Sequence, residues 1–492
     1  MEMKCVYQGE RIIEIEKERA KGDKDKISYI EDIIRNKLGD KANCRFDAIN
    51  EKGFCIFHDP DYWREHADEI KNEFLKELKK GENFFVGYHL PTIAFPKDIK
   101  IEQDLHMEFT KIHGELDVSE IRFDRNVSFD GAEFDKASSF VRAEFYGDVS
   151  FYGARFNGDV SFYGARFNGD VSFYGARFNG NVQFHKAIFM RSGQSENRRT
   201  EVRVSFYGAN FRGDVSFDEA KFNEASSFVR AEFYGDVSFY GAEFNKRATF
   251  DDSFFSKGVS FRDVKFPKAA SNLKDKDTDY ISFRRVNFKI STKIVFDNCN
   301  MERVSFIHTN ISRITFRNIK WGKDFRIFDE ELLLLKLNND DKDLTYDKDL
   351  TYDNVLTVYR NLRDNYDNNM RYEESGKFFI NEMKLKRITM KLSIEKFVMF
   401  VYEKLALYGE SYVRPLLAII AIMMISFIIR LYIINQFNLD TIVDELIKST
   451  DIFFTNRVDI DNITVIERLT SIPLFGMLIV ALRRKLERRV RR

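Results

Sequence analysis

The sequence predicts a mainly β chain: a long solenoid of square cross-section, then an α-helical hairpin and two transmembrane helices. Three observations carry this expectation. Phe occurs 50 times in 492 residues and, between about 121 and 320, recurs at alternating steps of six and five. Pro is scarce, at 6, so a single repeated structural solution is in use rather than a mixture of turns. A long apolar run with one charge, Arg430, stands at 415–437.

Composition bounds the function. The length allows roughly two to four domains. Basic and acidic residues balance at 78 each, which removes any global polyelectrolyte argument for nucleic acid. Cys5, Cys44, Cys55 and Cys299 are too few and too dispersed for a secreted disulfide scaffold. The opening stretch MEMKCVYQGERIIEIEKER has no apolar signal region, so the N-terminal bulk is expected in the cytoplasm.

Residues 1–100 read as an α-rich region with a Cys/His element. GFCIFHD sets Cys55 and His58 three apart, with Cys44 eleven positions earlier and Cys5 further upstream. Thiolate and imidazole ligands suit tetrahedral zinc, so Cys5, Cys44, Cys55 and His58 form a candidate metal set. The other reading of the same residues is three buried structural thiols beside an incidental His.

The solenoid is expected over 105–320. DVSFYGARFNG starts at Asp148 and Asp159, so two steps make one repeat unit. Steps of five and six match neither a helical face nor strand alternation. Ala143, Val149, Ala154 and Val160 stand two positions before a Phe, so each short strand offers one small and one large side chain to the interior. Gly147, Gly153, Gly158 and Gly164 fall between strands, where the chain turns. Four sides close a square and stack Phe on Phe, each buried ring contributing about 2–3 kcal/mol. ASSFVRAEFYGDVSFYGA occurs at 137–154 and again at 225–242, an internal duplication. The ladder skips from Phe189 to Phe206 and from Phe266 to Phe283, leaving the polar stretches RSGQSENRRTE and KAASNLKDKDTDY as loops. The recurring Asp148, Asp159, Asp170, Asp214 and Asp236 lie near Arg155, Arg166 and Arg177, which points to surface charge balance rather than calcium.

A central Phe with a small residue two before it resembles the pentapeptide-repeat family in its Phe-rich variant. The resemblance covers the whole run of Phe steps between about 121 and 320 and implies a right-handed quadrilateral β-helix. The CIFHDP stretch is similar to a small Cys/His element preceding the repeats in some members, although here Cys5 and Cys44 stand much further apart. Some soluble members mimic DNA and bind topoisomerase, a role that needs a strongly negative rod. Residues 121–320 hold 25 acids and 31 bases, so no nucleic-acid-like role is expected.

Residues 322–353, with KDLTYD at 342–347 and again at 348–353, read as a polar linker. The membrane-proximal region 354–413 follows. The spacing of Val355, Val358, Tyr359, Leu362, Phe378, Phe379 and Met383 predicts a helical hairpin broken at Asn368 and Asn369. It resembles a segment found before the membrane part of membrane-bound members.

Residues 415–492 read as a two-span membrane module with a basic tail. The first span, 415–437, is long enough to cross a bilayer, with Arg430 snorkelling near its far end. The second is shorter: the apolar stretch Leu469 to Leu482 falls short of a bilayer, and extending it back to Ile463 includes Glu467 and Arg468. The acidic 438–468 loop and the basic RRKLERRVRR tail place both termini in the cytoplasm, making this a multi-pass cell-membrane protein. The order of span, loop, span and tail resembles the two-transmembrane ion-channel module. STDIFFTNRVDID contains no Gly, which argues against a potassium filter built from backbone carbonyls.

The His residues show no catalytic spacing beyond the Cys/His element, and no phosphate-binding Gly loop is present. The expectation is therefore a non-enzymatic binding or scaffold rod anchored at the lipid membrane, meeting protein partners along the solenoid. The alternative is a homo-oligomeric channel-like protein regulated by its repeats.

Overall fold

The structure, a computed structural model, describes residues 4–8, 10–19, 31, 33–39, 43–190, 202–267, 279–337, 347–434, 440, 442–447 and 462–490. The chain forms two compact units, Met1–Lys323 with Ile327–Asp343, and Asp324–Arg326 with Leu344–Arg492. The expected loops at 191–201 and 268–278, most of the first KDLTYD copy (342–346) and the stretch 449–461 lie outside the described residues.

The first unit is a β-solenoid. Its strands are mostly two residues long and line up in four parallel sheets of nine, ten, seven and nine strands. Glu144 and Phe145 pair with Arg166 and Phe167 on the next coil, because two steps of five and two of six return the chain to the same side. Coil-to-coil amides are satisfied in the same way, as where the Phe151 amide donates to the Ser172 carbonyl at 2.7 Å. The rings follow the backbone: Phe151 and Phe173 stack at 5.0 Å and 1°, Phe156 and Phe178 at 4.9 Å and 3°. That spacing is close to the distance between hydrogen-bonded strands, so the sheet itself sets the stacking. The rings and the small residues before them, such as Ala154 and Val160, are buried.

Two features extend the Phe ladder beyond its visible ends. Strands begin at His89–Leu90, ahead of residue 105, and the early coils place Ile101, Met107, Ile112 and Val118 in the interior that Phe fills later. Across the first skip Phe189 pairs with Phe222, so the partners stand one repeat unit further apart in sequence than elsewhere. The same wider separation joins Phe255 to Phe288 across the second. The extra residues therefore leave the stack in register.

The glycines serve two different ends. Gly153 has φ +61° with open space around its Cα, in a turn closed by the Ala154 amide on the Phe151 carbonyl at 3.1 Å. Arg142 holds the corresponding turn of another coil at φ 54°. Gly169 instead packs against the neighbouring coil, where a Cβ would meet the Gly147 carbonyl oxygen at 2.4 Å. The recurrent aspartates also have a specific task, which corrects the charge-balance reading. Asp148 Oδ1 accepts the Asp170 amide at 2.8 Å, and Asp214 and Asp236 carry the same ladder on another side.

Both ends of the solenoid are covered. Helix Ala67–Lys79 lays Ile70, Phe74 and Leu78 on the first coil, with Phe74 4.7 Å from Phe85. At the other end helix Phe328–Leu337 replaces part of the linker expected over 322–353. Its buried Asp329 accepts from Ser305 Oγ at 2.5 Å and from the Phe306 amide at 3.2 Å. The LLLL run in this stretch is what a cap requires, since an open coil exposes both amides and rings.

The second unit is helical. Tyr352–Asn368 and Tyr372–Thr389 form a hairpin packed through Tyr359, Tyr366 and Phe378. Glu382 joins them, accepting from Arg360 at 2.9 Å and Arg363 at 2.8 Å. Helices Ile394–Ala406, Val413–Ile434 and Asn462–Val490 follow. Among the described residues one helix, Val413–Ile433, is long and apolar enough to cross a membrane. The expectation of two such spans is corrected: Asn462–Val490 is continuous but carries Glu467, Arg468 and the basic cluster from Arg483 onward, with Pro473 inside. Arg430, near the far end of this apolar helix, is buried at 6% exposure. The last helix runs back along the apolar one: Leu474 packs on Ile419, and Arg484 Nη1 donates to the Tyr408 carbonyl at 2.9 Å.

Candidate metal centre

Cys5 and Cys44 are far apart in sequence but lie on two extended segments that pair. The Cys5 amide donates to the Phe46 carbonyl at 3.1 Å, the Cys44 amide to the Tyr7 carbonyl at 2.9 Å, and Lys4 bridges Asp47. Cys55 and His58 meet because the chain makes a helical turn between them. The amides of His58 and Asp59 both donate to the Cys55 carbonyl, at 3.1 and 3.0 Å.

The four side chains converge. Their ligand atoms all lie within 4.8 Å of one another. Cys44 Sγ is 3.6 Å from Cys55 Sγ, and His58 Nδ1 is 3.2 Å from Cys55 Sγ and 3.6 Å from Cys5 Sγ. Sulfurs 3.6 Å apart are not a disulfide, whose bond is about 2.05 Å. The edge of a tetrahedron with zinc–sulfur bonds of about 2.3 Å is about 3.8 Å, close to the separations here. The exposures of Cys5, Cys44, Cys55 and His58 are 2%, 8%, 0% and 1%, so water does not compete for the ligands.

The surroundings orient the imidazole. His58 Nε2 lies 2.9 Å from the Val86 carbonyl oxygen. A carbonyl only accepts, so Nε2 carries a proton and Nδ1 is the nitrogen that faces the thiols. Tyr7 stacks on the ring at 4.0 Å, and Tyr88 meets it edge-on at 5.1 Å. Burial pulls the imidazole pKa down, but contacts with Cys5 and Cys55 outweigh this and raise it to about 9. Contacts with Cys44 and Cys55 hold the Cys5 thiol well below its usual range, while contacts with Cys5 and Cys55 push Cys44 well above it. Three thiols so placed cannot all ionise without a cation among them, and three thiolates with one neutral imidazole are a zinc donor set. A cleft lined by Asn43, Arg45, Glu82 and Phe84 reaches Cys44 and His58 and provides an entry path.

A second arrangement joins residues that the sequence keeps apart. His89 Nδ1 lies 3.0 Å from His113 Nε2, and His113 Nδ1 lies 3.0 Å from Asp135 Oδ2. Trp63 stacks on His113 at 4.1 Å. His113 and Asp135 stand one coil, 22 residues, apart, whereas His89 and His113 are 24 apart, so no single spacing in the sequence joins the three. The three form a linear relay with no converging set of ligands.

Residues 119–166, 140–188, 206–253 and 217–265 match the family model described as pentapeptide repeats (9 copies). The matched part of the solenoid is built of pentapeptide repeats. The pentapeptide-repeat solenoid continues on both sides of the matched residues, through the Ile, Met and Val coils before 119 and the coils ending at Thr315–Arg317. Similarity also extends to the uncharacterized protein MJ1147 of Methanocaldococcus jannaschii, 26% identical over 219 residues. The match covers 39% of this chain and 46% of that relative, so the chain spans under half of the relative's length.

Proposed function

We propose that this chain is a non-enzymatic, membrane-anchored scaffold whose solenoid presents outward rows of side chains to protein partners. The observation that supports it most is the filling of the interior. Phe rings at about 0% exposure occupy every central coil, so chemistry is available only on the outside. There the coils repeat side chains in register: Tyr152, Tyr174 and Tyr207 stack at 4.9 Å, and Glu133 lies between Lys111 at 3.3 Å and Arg155 at 3.6 Å. Rigid rows of this kind suit recognition of an extended or repetitive partner. Photocrosslinking from position 174 in the full chain should yield discrete protein adducts that are lost when Tyr152 and Tyr207 are changed to Ser. A ladder of adducts unaffected by those changes would count against a specific scaffold.

Zinc belongs to the same proposal as a structural element of the N-terminal cap. Cys5, Cys44, Cys55 and His58 would hold it, and the ion would cross-link segments already paired through their backbones. Anchorage rests on helix Val413–Ile434, with the N-terminal bulk on the cytoplasmic side; a basic tail on that same side requires Asn462–Val490 to return through the bilayer beside it. The antiparallel return of Asn462–Val490, with Arg484 beside Tyr408, favours that arrangement. The same pairing of helices favours, as a second reading, an oligomeric channel-like module that is not potassium-selective. Sizing in detergent and ion flux in liposomes separate the two: a monomer without flux removes the channel reading.

A further inference from the structure

Helix Ile394–Ala406 stands just before the apolar helix, and most of its apolar stripe is exposed among the described residues. Ile394, Phe397, Val398 and Val401 follow one another at the spacing of a single helix face, and Leu405 continues it. Ile394 is 82% exposed, Phe397 66% and Val398 56%, and Leu392, just ahead, is 97% exposed. The stripe ends at Leu405, which packs against the cluster of Ile419 and Leu474. The exposed face is therefore continuous with the surface that the apolar helix would show to lipid.

Charge surrounds this stripe asymmetrically. Residues 384–406 hold Lys384, Lys386, Arg387, Lys391, Lys396 and Lys404 against Glu395 and Glu403. Glu403 is engaged by Arg387 at 2.9 Å, and the segment leading into the helix supplies the basic excess, since the helix itself balances Lys396 and Lys404 against Glu395 and Glu403. Ser393 caps the helix by accepting the Lys396 amide at 3.2 Å, so the helix has a defined start outside the apolar span. An aromatic and aliphatic face on a helix entered through a basic segment matches the boundary between acyl chains and anionic headgroups.

We infer that helix Ile394–Ala406 lies in the plane of the bilayer surface, its stripe entering the acyl boundary and its lysines facing anionic phospholipid headgroups. This inference rests on reading Val413–Ile434 as a membrane span. The geometry requires no partner beyond lipid, and it makes the segment a sensor of leaflet charge as well as an anchor.

The test uses the full chain in liposomes of phosphatidylcholine alone or mixed with phosphatidylglycerol. A fluorophore is attached after Val398→Cys or, separately, Ile425→Cys, and the unsubstituted chain sets the background from its buried thiols. Nitroxide lipids labelled near the headgroup or deep in the acyl chain then report depth. Expected is deep quenching at position 425 in both membranes, and shallow quenching at 398 that strengthens with phosphatidylglycerol. Lys391→Glu with Lys396→Glu should abolish that strengthening. Quenching at 425 but none at 398 overturns the surface helix while leaving the span intact, whether 398 is wet or covered by another protein copy. Absence of quenching at both positions overturns the anchorage itself and the inference with it.

Discussion

His58 Nε2 and the Val86 carbonyl oxygen, 2.9 Å apart, settle which nitrogen of the imidazole faces Cys5, Cys44 and Cys55. Val86 lies just before the first solenoid strand, His89–Leu90, so the metal set and the first coil share a structural element. Loading the site should therefore stabilise the end of the solenoid as well as the cap. Purified full chain is expected to carry one zinc per molecule. Cys55→Ser should remove it and lower the unfolding midpoint of the N-terminal end, followed by metal analysis and hydrogen exchange. A metal-free chain with unaltered exchange in Cys55→Ser would falsify the zinc proposal.

The middle of the solenoid should be the most sensitive to loss of a ring. Phe173 stacks on Phe151 and Phe206 at 5.0 and 4.9 Å and touches Phe162 and Phe184 edge-on. Phe173→Ala is expected to cost about 3–5 kcal/mol, from lost transfer energy and the cavity left behind. Denaturant unfolding of the full chain measures it.

The two kinds of glycine should respond differently. Gly153→Ala meets no atom and costs only its left-handed φ, about 1–2 kcal/mol. Gly169→Ala drives a methyl into the Gly147 carbonyl, so two coils must separate, and it should be clearly the more damaging change. Equal unfolding midpoints for the two variants would contradict this division.

Asp329→Ala should loosen the C-terminal cap. It removes the acceptor of Ser305 Oγ and the Phe306 amide, and each buried donor left unmatched costs about 1–3 kcal/mol. Hydrogen exchange should rise first at Phe306 and its neighbours, with the central coils unaffected.

Cys299 supplies a pH-dependent prediction. Burial pushes its thiol up to about 12, and Sγ donates to the Phe261 carbonyl at 3.0 Å. A thiol with a raised folded pKa stabilises the fold below the ordinary thiol range and loses that contribution as pH climbs toward 12. In the native chain it should resist alkylation at mildly alkaline pH and react once unfolded. Mass spectrometry of the alkylated peptide decides this.

The Phe ladder is legible because a fixed backbone step repeats one solution many times, so the spacing alone implies four-sided coils. The coil ahead of residue 105, with Leu90 and Ile101 inside, is not, because these residues fill the same interior without the same letter. The cap helix Phe328–Leu337 is hidden because its surroundings are polar and its partner, the last coil, lies elsewhere in the chain. The Asp ladder is masked for the same reason: its acceptors meet amides one coil away, a pairing that exists only after the coils stack. Cys55 and His58 declare themselves by spacing, whereas Cys5 and Cys44 join them only through the pairing of their segments.

Local periodicity is enough to specify the repeat, the Phe core, the helical hairpin and the existence of an apolar span, since each follows from the order of nearby residues. The caps, the convergence of all four metal-site side chains and the His89–His113–Asp135 chain of contacts emerge only from the folded arrangement. They depend on contacts between residues distant in the chain, and local spacing carries no record of which distant segment will arrive.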